Sequence, residues 1–298
     1  MSNNNLENSM SKIGFIGLGV MGFPMAGHLS KVNSVAVFNR TKEKIIAWQR
    51  SHDGIVCESP EHLGEICSQV YLCIGDDDDV REVVAGEKGL VNSLKSGSII
   101  IDHTTTSASL SREMYETCKK LDIDYIDAPV SGGQVGAEQG ELTIMAGGSE
   151  EAYDKAKSVF SVYSKFSKLM GGSGSGQLTK MVNQICIAGL VQGLAEGIHF
   201  SQKAGLDTKE VIDVISKGAA QSWQMVNRWE TMLLDQYEHG FAVDHMRKDL
   251  RIAIEEAQSN SAKLEVTELI DFFYKEIQNM GGNRWDTSSL LRRLQNND

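Results

Sequence analysis

Basic side chains are in short supply. Against 40 aspartates and glutamates stand 29 lysines and arginines, a formal net charge of −11 at pH 7. Such a balance repels polyanions and argues against nucleic acid and anionic membrane surfaces as partners. Any anionic ligand must then be met by a locally basic or amide-rich site. Cysteine is also sparse. The five residues, Cys57, Cys67, Cys73, Cys118 and Cys186, contain no CxxC and no Cys/His spacing suited to zinc, and they read as buried free thiols of a reducing compartment. The opening MSNNNLENSM lacks a basic stretch followed by an apolar one, so no secretory leader is expected and the cytoplasm is the expected location. No long apolar run is free of polar residues either. The most apolar, Met181 to Phe200, carries Asn183, Gln184, Gln192, Glu196 and His199, and reads as a buried helix rather than a membrane span.

What is present starts with glycine. Lys12 to Ile16 is a short apolar run, GLGVMG follows, and Met21, Met25 and Leu29 then recur with helical spacing. Strand, Gly17-x-Gly19-x-x-Gly22 and helix together make a dinucleotide-binding fingerprint. Gly17 allows the tight turn, Gly19 leaves no Cβ in the way of a pyrophosphate, and Gly22 lets the helix pack closely on the strand. With Leu18, Val20 and Met21 between them, the loop brings backbone N–H groups of the helix N-terminus to the phosphates. Pro24 is tolerated because it falls in the first turn. The second strand, Ser34 to Phe38, ends in Asn39-Arg40-Thr41. An NAD site places an acid about twenty residues beyond the glycines. Here that place holds Asn39 and then Arg40, and an arginine can clamp a 2′-phosphate. NADP is therefore the expected cofactor, with NAD possible.

The alternation continues with Ile55 to Cys57, a helix after Ser59-Pro60, a helix Lys42 to Arg50 before them and a strand Val70 to Ile74 after. Repeated β-then-α units with apolar strands predict a parallel sheet covered by helices on both faces. Ile74, Gly75 and Asp76 lie at a strand's C-terminal end, where ligands of open α/β sheets bind. The acidic run Asp76 to Asp79 reads as helix capping and solvation rather than a metal site. Ser98 to Asp102 leads to His103-Thr104-Thr105-Thr106, whose hydroxyls can face a nicotinamide or cap the helix Ser107 to Leu121. His103 reads as a structural hydrogen-bonding residue. Ile123 to Asp127 leads into Ala128-Pro129-Val130-Ser131-Gly132-Gly133, where a hydroxyl stands beside uncovered backbone N–H groups, a nest suited to a carboxylate. Gln134 to Glu141 reads as a polar loop, Leu142 to Ala146 as a strand, and Ser149-Glu150-Glu151 as the cap of a helix to about Val162.

Past Met170 the alternation stops. Residues 177–298 carry only helical periodicities: Gln177 to Ala204, a helix opened by Asp207-x-x-Glu210, then Gln221 to Leu234, Asp244 to Gln258, Glu265 to Met280 and Asp286 to Leu294. The expected architecture is α/β: a Rossmann-like, mostly parallel sheet domain over 1–176, followed by an all-α domain over 177–298, joined by a long helix. Trp223, Trp229 and Trp285 are expected in the helical core. The joining helix puts Lys180, Asn183 and Gln184 on one face inside an apolar run. A lysine there either snorkels to water or is a partly desolvated amine with its pKa lowered towards neutrality, usable as a general acid or base. Arg247-Lys248-Asp249-Leu250 heads a later helix, its basic pair solvated or with Lys248 reaching a cleft between domains.

Taken in order, GFIGLGVMG, DHTTT, DAPVSGG, GSGQLTKMVNQ and MRKDLRIAIEEA resemble the β-hydroxyacid dehydrogenases over nearly the whole chain. The resemblance implies reversible hydride transfer between NADP(H) and a small anionic 3-hydroxy acid or its semialdehyde. It implies Lys180 as catalytic acid/base, Ser131, Gly132 and Gly133 as holders of the substrate carboxylate, and Asn183 as the group that orients the substrate. Thr105 and Lys248 are implied at the nicotinamide end. The helical domain is implied to form the interface of a homodimer or homotetramer. Relatives differ in whether an asparagine stands three or four positions after the lysine, which leaves Asn183 and Gln184 both as substrate contacts. A non-catalytic NADP-binding sensor or scaffold on the same fold is the alternative reading.

Overall fold

Short strands alternate with helices through the first part of the chain in the computed structural model, which describes residues 12–295. β1 (Ile13–Ile16), α1 (Gly22–Ser30), β2 (Val35–Phe38), α2 (Lys42–Gln49), β3 (Ile55–Val56), α3 (Pro60–Ile66) and β4 (Gln69–Leu72) form one half. α4 (Asp77–Ala85), β5 (Ile99–Asp102), α5 (Ala108–Lys119), β6 (Asp124–Asp127), β7 (Val130–Ser131), α6 (Gly133–Gln139), β8 (Leu142–Gly147), α7 (Glu150–Phe160) and β9 (Ser164–Gly171) complete it. The sheet order is β3-β2-β1-β4-β5-β6-β8-β7, with β9 on β8. From β3 to β6 every pairing is parallel, and β8 runs antiparallel to β6. This is the expected Rossmann-like sheet. Its order reverses between β1 and β4, and the crevice outside their carboxyl ends is where such sheets take ligands.

Alternation along the strands builds two cores, one on each face. Val35 and Val37, Tyr71, Ile99 and Ile101 point into one, while Ala36, Val70, Leu72 and Ile100 point into the other. Successive side chains of a strand face opposite ways, so strands buried on both sides read as unbroken apolar runs.

Two segments depart from the sequence reading. Gln134 to Glu141, expected as a loop, forms most of α6. Its buried face is only Gly136 and Ala137, too small to leave a hydrophobic period. The helix closes on His28 of α1, whose Nε2 lies 3.1 and 3.0 Å from the carbonyl oxygens of Ala137 and Glu138. The second is β9, which the sequence reading passed over. It is an edge strand, largely exposed, and Lys165 and Lys168 break its apolar pattern while blunting the edge.

The chain divides between Lys180 and Met181, against an expected boundary at 176/177. The joining helix α8 (Ser175–Lys203) therefore begins in the sheet unit. The second unit holds the rest of it with α9 (Thr208–Ile215), α10 (Trp223–Leu233), α11 (Val243–Asn260), α12 (Glu265–Asn279) and α13 (Leu290–Gln295). Asp207 caps α9 as its spacing predicts, accepting from the N–H groups of Lys209 and Glu210. The core gathers Ala188, Val191, Ala195 and Ile198 of α8 with Met246, Leu250, Ile270 and Tyr274. By length and composition α8 could cross a membrane, a test that core helices also pass, and it is only half covered within the chain. Val182, Leu190 and Phe200 are exposed, so the expectation of a buried helix holds for one face alone. Trp229 and Trp285 pack on this core, but Trp223 is exposed at the start of α10, under the guanidinium of Arg228. Cys57, Cys67 and Cys118 are buried free thiols and Cys73 half-buried, whereas Cys186 is exposed on α8, on the side away from the core.

Candidate functional site

The glycine loop leaves β1 at Gly17, whose φ of +100° few other residues adopt; a Cβ there would sit 2.1 Å from the Cys73 carbonyl oxygen. A Cβ on Gly22 would meet the Gly17 carbonyl oxygen at 1.9 Å, so α1 can start this close to the strand only without one. Gly19 differs, with nothing within 4 Å of its Cβ position: the space above it is open. No side chain caps the first turn of α1. Within that turn the Phe23 and Met25 N–H groups bond the carbonyl oxygens of Gly19 and Met21 and Pro24 carries none, so what the turn offers an anion is the positive end of its backbone dipoles. Open space over Gly19 at an uncapped helix N-terminus, beside the reversal of the sheet, fits a dinucleotide pyrophosphate. Asn39 braces this loop: its Oδ1 accepts from the Leu18 N–H at 2.8 Å and its Nδ2 donates to the Thr41 carbonyl oxygen at 2.9 Å.

Arg40, next along, is exposed, and its Nη1 lies 2.8 Å from Oδ1 of Asp79. The acidic run divides its labour. Asp76 caps α4, accepting from the N–H groups of Asp78 and Asp79, each at 3.1 Å; Asp77 accepts from Ser107 at the start of α5; Asp78 pairs with Arg81. Above β4 the Ile74 N–H donates to Oγ1 of Thr104 at 3.1 Å, tying two strand-end loops together, while Gly75 is exposed beside them. Thr105 is half-buried; the cap of α5 is Ser107, which accepts from the Leu110 N–H.

His103 is buried, with Nδ1 2.6 Å from the Ala128 carbonyl oxygen and Nε2 2.8 Å from the Tyr163 hydroxyl, its ring stacked on Tyr71. Burial lowers its pKa to about 4, so it stays neutral at physiological pH. A His103→Phe variant should lose about 1–3 kcal/mol of stability through the orphaned carbonyl and hydroxyl while keeping the pH profile of kcat. A displaced inflection in that profile would give the imidazole a catalytic part after all.

At the ends of β5 and β6 stand two buried carboxyl groups in register with each other, Asp102 and Asp127. Asp102 accepts from the Thr104 N–H and the Tyr125 hydroxyl, each at 2.8 Å. Asp127 accepts from the Gly174 N–H at 2.7 Å and the Gln177 N–H at 3.0 Å, the donors of the first turn of α8. Gln177 in turn donates through Nε2 to the Thr104 carbonyl oxygen at 2.7 Å and accepts from the Thr106 N–H at 3.1 Å. Burial raises Asp102 to about 6 and Asp127 to about 7. Asp127 pins the start of α8 to the sheet directly, while Asp102 holds the Thr104 backbone to which Gln177 bonds. The sequence reading gave neither a role; its one available signal was an acid at the C-terminal end of each of two strands.

Lys180 lies one turn further along α8. It is buried, 8% exposed, and its Nζ donates to the Val130 carbonyl oxygen at 2.8 Å. The ammonium does not snorkel to water but stops at the residue before Ser131. Ser131 is half-buried, and Gly132 and Gly133 follow with φ of +134° and +63°. Successive glycines in such conformations turn neighbouring N–H groups towards one point.

In the second unit, Gln184 is buried with both ends of its amide engaged. Its Oε1 accepts from Asn183 Nδ2 at 2.8 Å and its Nε2 donates to Asp249 Oδ2 at 2.6 Å. Lys248 Nζ stands 3.6 Å from the other oxygen of Asp249. Gln184 thus braces α8 against α11, and the half-buried Asn183 is the more accessible of the two amides.

Residues 12–174 match the family described as the NAD binding domain of 6-phosphogluconate dehydrogenase, and residues 174–294 that described as NAD-binding of NADP-dependent 3-hydroxyisobutyrate dehydrogenase. An uncharacterized oxidoreductase of Shewanella frigidimarina is 56% identical over 287 residues, 96% of this chain and 99% of that one. The 2-hydroxy-3-oxopropionate reductase of Escherichia coli is 31% identical over 95% of this chain and 97% of its own. The crystal structure of 3-hydroxyisobutyrate dehydrogenase from Salmonella typhimurium superposes with a TM-score of 0.83 at 26% identity, covering 95% of this chain and 99% of that one.

Proposed function

The chain belongs to the β-hydroxyacid dehydrogenase family, whose members are NAD(P)-dependent oxidoreductases, and we propose that it interconverts a small 3-hydroxy acid and its semialdehyde with NADP(H). The observation that carries this reading is Lys180: a buried amine donating to Val130, directly before the Ser131-Gly132-Gly133 turn. A buried lysine is costly unless its charge or its proton is used, and general acid–base work is the use that the family's chemistry offers.

When bound, NADP(H) supplies or accepts the hydride. The residues of the chain then have separate tasks. In reduction Lys180 gives its proton to the substrate oxygen as that oxygen gains negative charge; in oxidation the neutral amine takes the hydroxyl proton. Burial keeps bulk water from competing for that transfer. The Ser131 hydroxyl and the N–H groups of Gly132 and Gly133 hold the substrate carboxylate, which places the reacting carbon. Asn183 orients the substrate, and Gln184 keeps Asn183 in position by filling the gap to Asp249. Residues 17–22 cradle the pyrophosphate, Arg40 clamps the 2′-phosphate, and Thr105 and Lys248 flank the nicotinamide end.

The test is a panel of small carboxylate-bearing semialdehydes and 3-hydroxy acids, followed through NADPH absorbance with NADH in parallel. Turnover should appear with short anionic substrates, should weaken when the carboxylate is replaced by a neutral group, and should favour NADPH. Dinucleotide binding with no hydride transfer to any of them, or better use of NADH, would sink the reading.

A further inference from the structure

Arg40 does not wait alone for a phosphate. Its side chain is 85% exposed, and its Nη1 is hydrogen-bonded at 2.8 Å to Oδ1 of Asp79, a residue brought in from a different crossover. The two partners are held unequally. Asp79 sits in the first turn of α4, its own N–H is held by Oδ1 of Asp76, and its side chain is 29% exposed. Its other oxygen lies against Gly75, where a Cβ would come within 2.1 Å of Oδ2, so a side chain at position 75 would push the carboxylate away. The backbone of the acid is fixed in the helix turn, and the more exposed arginine side chain reaches to it. The other members of the run are engaged elsewhere, Asp76 as the α4 cap, Asp77 at Ser107 and Asp78 at Arg81. Asn39, at the place where an NAD site carries its acid, has its side chain committed to Leu18 and Thr41. Among the described residues, Asp79 is therefore the carboxylate that pairs with Arg40.

We propose that Asp79 is a specificity-determining residue for the cofactor, one that restrains the preference for NADP by holding Arg40. The inference rests on the reading of Arg40 as the 2′-phosphate clamp. A phosphate dianion approaching Arg40 must take the guanidinium from a carboxylate whose backbone is fixed beside it, and like charges at that range oppose each other. A ribose with a free 2′-hydroxyl meets no such competition. The arginine sets the direction of the preference and the aspartate limits its size.

The experiment is calorimetric binding of NADP+, NAD+ and 2′,5′-ADP to the full chain, as wild type, Asp79→Asn, Arg40→Met and the double variant. Asp79→Asn should tighten NADP+ and 2′,5′-ADP by roughly three- to tenfold and leave NAD+ within about twofold, and this gain should vanish when Arg40→Met is added. An unchanged ratio of NADP+ to NAD+ affinity in Asp79→Asn, or a gain that survives in the double variant, overturns the inference while Arg40→Met still lowers the ratio. A flat ratio in Arg40→Met overturns the clamp itself, and the inference with it.

Discussion

Lys180→Met lowers kcat by about two to four orders of magnitude and leaves the Kd for NADP+ within about twofold, if the amine is the proton carrier. Methionine replaces the four-atom apolar stem and omits only the terminal nitrogen, so the packing of the first turns of α8 is largely preserved. What disappears is the donor to Val130 and the transferable proton. The orphaned carbonyl costs about 1–3 kcal/mol of stability, which thermal melting reads separately from turnover. Lys180→Arg divides the possibilities further. It restores a cation and a hydrogen-bond donor, but guanidinium does not release its proton at working pH, so activity should stay low where an electrostatic role alone would be rescued. A Lys180→Met protein within about tenfold of wild-type kcat would remove the lysine from the mechanism.

How much of this was legible in the sequence depends on how far each residue's constraint reaches. The glycine loop was fully legible, because Gly17, Gly19 and Gly22 answer three separate steric demands within one turn, and a Cβ at two of them would meet backbone oxygen at 2.1 and 1.9 Å. Lys180 stood out for its setting, a charge inside an apolar helical run. Which of its two neighbouring amides is the accessible one was not legible. Asn183 and Gln184 differ in exposure because Asp249 captures the second, and Asp249 arrives from a helix 65 residues away. The pairing of Arg40 with Asp79, 39 residues apart, was hidden in the same way: the acidic run looked uniform, yet each aspartate has a different partner. α6 escaped because a helix with two small buried residues leaves no apolar period to read.

Asp127 is the residue whose importance only coordinates reveal, and its replacement should be the more costly one for the fold. Asp127→Asn keeps one oxygen for either the Gly174 or the Gln177 N–H, but it turns an NH2 group towards the other, a donor against a donor. The lost bond and orphaned N–H cost about 1–3 kcal/mol, about 2–4 °C of melting temperature per kcal/mol for a unit of this size. The dependence on pH supplies the sharper test. Burial raises the Asp127 carboxyl to about 7, against about 3.9 in an unfolded chain. The folded protein therefore binds this proton more tightly, and the stability so gained is complete below about pH 4 and lost as pH rises through about 7. Asp102, raised to about 6, acts in the same direction but is present in both proteins. The asparagine variant has no such proton to lose. Its deficit in melting temperature should be largest at about pH 4, still large at pH 5, and narrow towards pH 8. Because Asp127 holds the turn of α8 that immediately precedes Lys180, kcat should fall as well, roughly tenfold if about 1.4 kcal/mol of the loss is felt at the amine, with the Kd for NADP+ unmoved. A variant that melts with the wild type at pH 5 would show that the first turn of α8 holds its place without this carboxyl, and the positioning of Lys180 would then have to come from Gln177 and its contacts with Thr104 and Thr106 alone.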